Sequence, residues 1–261
     1  MDVLVVGGTG AAGRAASEVL VERGYRVRVL SRAGGTDVPG ATGYRGDLLT
    51  GAGLAEALAG VHTVVDTSNA SGTSQEKLKR FFVDGTRRLL EAEAAAGVKH
   101  HVLLSIVGID GVPYAYYRAK VDQEKVVTEG PVPATILRAT QFHDFAGQIA
   151  ARTRFGPFVL VPTMSTRPVA VAEVATALTD AVERGAPGRA PDLRGPREEQ
   201  LVDLVRRQLR ARGDRAIVVP LHVPGKAGKS MRSGDLGGTG GVLGHQSFDD
   251  WLAATVPSRR R

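Results

Sequence analysis

Close to the N-terminus, the run Val3-Leu4-Val5-Val6 breaks directly into Gly7-Gly8-Thr9-Gly10-Ala11-Ala12-Gly13. An unbroken β-branched and leucine run is the pattern of a strand covered on both faces, as in a parallel sheet. Glycines at Gly7-x-x-Gly10-x-x-Gly13 then open a helix. They let the backbone turn sharply and approach an anion, while the helix end offers free N–H donors and a positive dipole. Strand, glycine loop and helix in this order predict a dinucleotide-binding α/β fold, with Gly7, Thr9, Gly10, Ala11, Ala12 and Gly13 at the pyrophosphate. A tight βα turn without a ligand is the competing account.

The rest of the first half keeps the same rhythm. Strands are expected at Tyr25–Leu30, Thr42–Arg45, His62–Asp66, Lys99–Ser105 and Ala134–Leu137. Helices are expected at Ala11–Arg23, Gly53–Leu58, Gln75–Ala96 (closed by a left-handed Gly97) and Tyr114–Thr128. Such alternation predicts right-handed crossovers and a Rossmann-type, doubly wound parallel sheet. After Arg138 the pattern loosens. Helices are expected at Gln141–Arg152, Ala172–Glu183, Glu198–Arg212 and from Ser247 through Trp251. Short extended pieces fall at Phe158–Val161, Arg167–Val169, Pro191–Leu193 and Ala216–Val219, and Gly225–Gly244 reads as a glycine-rich loop. The expected organisation is a dinucleotide-binding core over residues 1–140. A smaller substrate lobe over residues 141–261 is interleaved with the last sheet strands.

Composition narrows the chemistry. The chain has no cysteine, which excludes disulfides, thiolate catalysis and Cys-ligated metals. No apolar run approaches the ~18 residues that span a bilayer, and the N-terminus lacks a signal-peptide pattern, so the expected location is the cytoplasm. The net charge is +7, but the arginines are scattered, with tight runs no longer than pairs such as Arg206-Arg207 and the triplet Arg259-Arg260-Arg261. That is the distribution of a solvated surface rather than a specific nucleic-acid site. The six histidines form no metal-ligand spacing, so no metal is expected. His100 and His101 read as surface residues at the sheet edge. Gly-x-Ser-x-Gly and a Gly-Lys-Ser/Thr loop ending are absent, against a hydrolase or a nucleotide triphosphatase.

The second strand ends in Ser31-Arg32 where an acid would hold a ribose 2′-hydroxyl. An arginine there pairs with a 2′-phosphate, which makes NADP(H) the expected cofactor; Ser31 could add one more bond, and a chance surface arginine is the competing account. Asp47 and Leu48 are placed to border the adenine, and Thr67, Ser68 and Asn69 to run alongside the cofactor. Ser105 ends the fifth strand, and Tyr116 and Lys120 stand four apart on one helical face. A nearby ammonium favours the phenolate, so Tyr116 can give a proton to a carbonyl oxygen held by Ser105. Lys120 can also hold the nicotinamide ribose. Tyr117, three from Lys120, is the alternative phenol, and plain packing tyrosines are the competing account.

These segments, with Leu104-Ser105-Ile106-Val107-Gly108-Ile109-Asp110, Tyr116-Tyr117-Arg118-Ala119-Lys120, Leu137-Arg138-Ala139-Thr140-Gln141-Phe142, Arg167-Pro168-Val169-Ala170-Val171 and Phe248-Asp249-Asp250-Trp251-Leu252, resemble the short-chain dehydrogenase/reductase superfamily. The likeness is to its atypical, extended, NmrA-like branch. It implies a C-terminal lobe closing over the nicotinamide, with Ala139 and Thr140 on the nicotinamide side and Gln141, Phe142 and His143 facing substrate. It implies either an NADP(H)-dependent oxidoreductase acting on a carbonyl or quinone-like group of a small molecule, or a non-catalytic NADP(H)-binding redox sensor. A sugar-nucleotide epimerase or dehydratase is a third reading, for which a larger C-terminal lobe is expected. The expected partner is a small-molecule substrate, with no membrane and no specific nucleic acid. Oligomeric state stays open, a homo-oligomer included.

Overall fold

In the computed structural model, residues 1–70, 72, 74–185 and 188–256 are described, so the Arg259-Arg260-Arg261 run lies outside the described residues. The first elements follow the sequence pattern closely: β1 (Asp2–Val6), α1 (Ala11–Glu22), β2 (Arg26–Ser31), β3 (Ala41–Arg45), α2 (Leu54–Leu58) and β4 (Thr63–Asp66). Then come α3 (Gln75–Lys79), a π-helical stretch at Arg80–Gly85, α4 (Thr86–Ala96), β5 (His100–Ile106), α5 (Ala115–Thr128) and β6 (Ala134–Ala139). Gly97 ends α4 in the left-handed conformation, φ 75°. The helix expected over 75–96 is therefore continuous but widened by a π segment in its middle.

The chain divides into two compact units. The first comprises Met1–Ser105, Tyr114–Arg138 and Val171–Pro191. One division falls after Arg138, while the helix Val171–Arg184 belongs to the first unit and Ile106–Pro113 to the second. In the first unit the strands are parallel and ordered β3-β2-β1-β4-β5-β6, with Gly188–Arg189 also pairing with β6. The order reverses between β1 and β4, both of which are buried on both faces. That reversal is where doubly wound sheets open a crevice for ligands at the carboxyl ends of their strands. Leu4, Val64 and Leu103 of the sheet pack with Leu54, Leu58, Leu89 and Leu90 of α2 and α4, each fully buried side chain contributing roughly 1.5–3 kcal/mol. The helix Val171–Arg184 packs against α1.

The second unit departs from the expected elements in instructive ways. Its first helix begins at Phe145 rather than 141, because Phe142 forms an isolated parallel bridge with Val169. Strand Ser165–Thr166 precedes the expected Arg167–Val169 piece and pairs antiparallel with Glu199–Gln200, which delays the following helix to Leu201–Ala211. Arg154–Phe155 and Phe158–Pro162 form a hairpin, and Ile217–Leu221 runs parallel to the second arm. Gly225–Gly244 is not a loop throughout: it holds a helix at Gly225–Arg232, a 3-10 turn at Asp235–Gly237 and a strand at Val242–Leu243. Its glycines punctuate these elements instead of loosening them, as at Gly234 (φ 84°) and Gly241 (φ 96°). Ser247 caps the last helix, Phe248–Thr255, in a capping box with Asp250. Among the described residues no helix is long and apolar enough to cross a membrane.

Candidate functional site

The glycine loop has the form an anion needs. Gly7 turns at φ 75°, and Gly10 starts α1 with no side-chain cap and no acid in the first turn. The amides of Ala11, Ala12 and Gly13 precede the first intrahelical bond, Arg14 N–H to Gly10 O at 2.8 Å. A Cβ on Gly13 would lie 2.5 Å from both Gly7 O and Thr67 Oγ1, and one on Gly7 2.9 Å from the Ser68 backbone. Helix, loop and the residues after β4 are thus drawn together at the switch point, leaving an uncapped helix end beside them. Thr9, Gly10 and Ala11 are exposed there, while Ala12 and Gly13 are buried beneath. These residues fit a dinucleotide pyrophosphate.

At the end of β2, Arg32 is exposed and has no ion-pair partner among the described residues. The Ser31 hydroxyl, expected to add a bond to the 2′-phosphate, donates to Gly35 O (3.2 Å) and accepts from Gly34 N–H (3.0 Å), closing a turn. Sequence reasoning missed Arg45, which stands opposite Ser31 in the β2–β3 register and is also exposed. The Asp47 carboxylate accepts from Leu49 N–H (2.8 Å), and Leu48 is buried. After β4, Thr67 Oγ1 donates to Val6 O (2.8 Å), and Ser68 is buried with its Oγ unpartnered.

Next to this loop lie the residues expected to move a proton. Ser105 is buried near the end of β5 and its Oγ has no hydrogen-bond partner. The Tyr116 hydroxyl, partly exposed, donates to Asn69 Oδ1 at 3.0 Å. Tyr117 is buried against Tyr114 and Tyr116, and burial pushes its phenol well above the usual range. Of the two phenols, Tyr116 is therefore the accessible one. Lys120 is only 3% exposed. Its ammonium donates to Leu104 O (2.9 Å) and Gln123 Oε1 (2.7 Å) and sits 5.2 Å from the Phe82 ring centroid. Burial lowers its pKa to about 8, with the Asp66 and Glu124 carboxylates opposing the shift.

Three further residues complete this centre and were not singled out from sequence. Gln123 Nε2 donates to Thr86 Oγ1 (3.0 Å) and Asp66 Oδ2 (3.3 Å), and Asp66 Oδ1 accepts from Ser68 N–H (2.8 Å). Phe82, within the π segment, lies under Lys120 and edge-on to Tyr116 at 5.6 Å. The lysine is thereby wired to the loop that carries Ser68 and Asn69. Two signals were available: Gln123 lies one turn from Lys120, and an acid closes β4 directly after Val64 and Val65.

The residues implied by resemblance in the second unit are mostly engaged in its own framework. Ala139 is buried. Thr140 donates from Oγ1 to Arg167 O and accepts from Gly195 N–H (3.2 Å). Gln141 Oε1 accepts from Thr166 (2.6 Å), and Phe142 is half-buried. His143 is buried, with Nε2 3.1 Å from Gln246 O and its ring 5.5 Å from Trp251 and 5.8 Å from Phe248. His100 and His101 are not surface residues. Both are buried in β5, His100 Nε2 meeting Thr135 Oγ1 (2.8 Å) and His101 Nδ1 the Glu93 carboxylate (2.9 Å).

Comparison with known proteins bears on the family and the fold. Residues 7–184 match the NAD(P)H-binding family. The photosystem II assembly factor Ycf39 of Trieres chinensis is 31% identical over 150 residues, 55% of this chain and 46% of that protein. The decarboxylating sterol-4-alpha-carboxylate 3-dehydrogenase of Mus musculus is 32% identical over 148 residues, 49% of this chain and 41% of that protein. The chain thus spans about half the length of the curated relatives it matches. A short-chain dehydrogenase/reductase superfamily protein from Agrobacterium tumefaciens, solved with bound NAD, has a TM-score of 0.72 at 19% identity, covering 99% of this chain and 97% of that one. UDP-glucose 4-epimerase of Bifidobacterium longum gives 0.75 at 15% identity, covering 98% and 97%. That coverage removes lobe size as a ground for setting sugar-nucleotide enzymes apart, although such distant likeness extends to the fold alone. With a matched segment that spans most of its length and the fold of the short-chain dehydrogenase/reductase superfamily, the chain belongs to the NAD(P)H-binding family.

Proposed function

We propose that the chain is an NADP(H)-dependent oxidoreductase that reduces a carbonyl or quinone-like group of a small molecule. The observation that carries this reading is the pairing, on α5, of an accessible phenol held by Asn69 with a buried ammonium whose pKa is about 8. When bound, the reduced dinucleotide supplies the hydride. Tyr116 Oη gives the proton to the substrate oxygen, and Ser105 Oγ, buried without a partner, donates a hydrogen bond to the same oxygen. Lys120 stabilises the phenolate left behind, and Gln123 keeps the ammonium in place. Arg32 takes the 2′-phosphate, with Arg45 as a second cation on the same sheet edge.

A second reading rests on a different observation. Two of the three Lys120 N–H donors are committed to Leu104 and Gln123, which suits a protein that binds the dinucleotide and reports its redox state without turnover. The name of the Ycf39 relatives, an assembly factor, points the same way. Calorimetric titration of NADPH, NADP⁺, NADH and NAD⁺, followed by turnover with carbonyls and quinones, separates the two. The oxidoreductase reading expects the phosphorylated forms to bind tighter, with roughly 10–100-fold lost in Arg32→Ala. It also expects a fall of about 10²–10⁴ in kcat in Tyr116→Phe with affinity retained. Tight binding with no turnover across the panel selects the sensor.

A further inference from the structure

The hairpin and its parallel neighbour in the second unit have an outer face their packing leaves unexplained. A sheet with helices on one face and water on the other alternates apolar and polar residues. Phe158-Val159-Leu160-Val161-Pro162 and Ile217-Val218-Val219-Pro220-Leu221 contain no polar side chain. This is the pattern of strands covered on both faces. Val159 and Val161 are fully buried, and their strand packs against helices Phe145–Arg152 and Leu201–Ala211. The alternate positions face away. Register places Ile217 beside Phe158 and Val219 beside Leu160, with Phe155 across from Phe158. Phe155 is 79% exposed, Ile217 56% and Leu221 48%, while Phe158 and Leu160 are about two-fifths exposed.

We propose that this open face is where a second copy of the chain docks, sheet against sheet. The strand residues of this face carry no charge, so they can meet their own image across a two-fold axis without opposing like groups. Its area suffices. Taking about 200 Å² for a full aromatic side chain, the five exposed residues leave on the order of 500 Å² open per copy. Two copies then cover about 1,000 Å² before any rim is counted, which reaches the lower bound for a biological interface, and the rim brings it toward the range of stable dimers. Docking uses the face rather than an edge: one edge strand carries Pro220, which removes a donor from it, and the other, Arg154–Phe155, is only two residues long. At the base of the hairpin Arg154 is neutralised by Asp214 at 2.6 Å, so it neither repels a copy nor serves an anionic lipid surface. Exposed Arg152 and Arg215 are the cations that lipid headgroups would use instead.

Sedimentation velocity of the chain, with Leu160→Lys and Leu160→Glu separately and mixed, tests the proposal. The expected result is twice the chain mass for the wild type, the single-chain mass for each variant alone, and recovery of the doubled mass on mixing. Recovery distinguishes a broken interface from a broken fold. A wild type that stays at single-chain mass up to its solubility limit overturns the proposal, as does a doubled mass that survives in both variants. Flotation with phosphatidylglycerol vesicles by a single-chain-mass wild type overturns it in favour of a membrane surface.

Discussion

At the residue scale, the two most informative side-chain positions are one that cannot grow and one that cannot be lost. Gly13 has no room for a Cβ, since Gly7 O and Thr67 Oγ1 would each lie 2.5 Å away. Gly13→Ala is expected to push α1 off the loop, lowering stability by about 1–3 kcal/mol in urea unfolding and weakening dinucleotide binding at least tenfold by calorimetry. Unchanged affinity in a folded variant would remove the glycine loop from the binding site. Gln123 links an ammonium, a carboxylate and a hydroxyl that are all buried. Gln123→Leu removes one bond from each partner, although Lys120 keeps Leu104 O and Asp66 keeps Ser68 N–H, so a loss of about 1–3 kcal/mol in unfolding free energy is expected. A loss under half a kilocalorie would show that water replaces the amide there. Gly13 was legible from spacing alone, because the three glycines share one turn. Gln123 was not, because its meaning depends on Asp66, far away in the chain.

At the element scale, β5 carries two adjacent histidines whose titrations oppose one another. Burial, with the nearby His101 and His62, lowers His100 to about 4. Its folded pKa lies below the unfolded value near 6.5, so the folded state refuses a proton that the unfolded chain accepts. Stability is therefore lost as pH falls from about 6.5 to about 4, by up to about 3 kcal/mol. His101 is raised: burial opposes its charge, but Glu93 and more distantly Asp66 outweigh it. Burial likewise raises Glu93, so the pair retains its proton longer than the unfolded chain does. The His101 contribution is complete below the unfolded histidine value and is lost as pH rises through the folded one, whereas that of Glu93 is complete only below the unfolded carboxyl value. Urea unfolding across pH should show a dome, with His100→Gln flattening the acid limb and Glu93→Gln the alkaline limb. Two limbs untouched by these variants would place the titration elsewhere. The sequence reading put both histidines on the surface because they open a strand. The structure buries them because β6 covers one side of β5 and α4 brings Glu93 to the other.

At the scale of the whole molecule, a ligand that binds only the folded chain stabilises it by mass action. NADPH at about one hundred times its dissociation constant is expected to add about 2.7 kcal/mol, read as a rise in Tm. Arg32→Ala should shrink that rise for NADPH and leave the rise with NADH unchanged; equal shifts with both cofactors in the wild type would sink the choice of NADP(H). The sequence by itself determined the parallel sheet, the glycine loop and the placing of Ser105, Tyr116 and Lys120 along the chain. Apolar runs, glycine spacing and one-turn helical intervals are local quantities that read directly from neighbouring residues. Only the tertiary structure decided that Tyr116 rather than Tyr117 is accessible, and that Lys120 is desolvated beside Gln123 and Asp66. It alone turned the glycine-rich Gly225–Gly244 into ordered elements, because capping, burial and pairing depend on what distant segments bring to each residue.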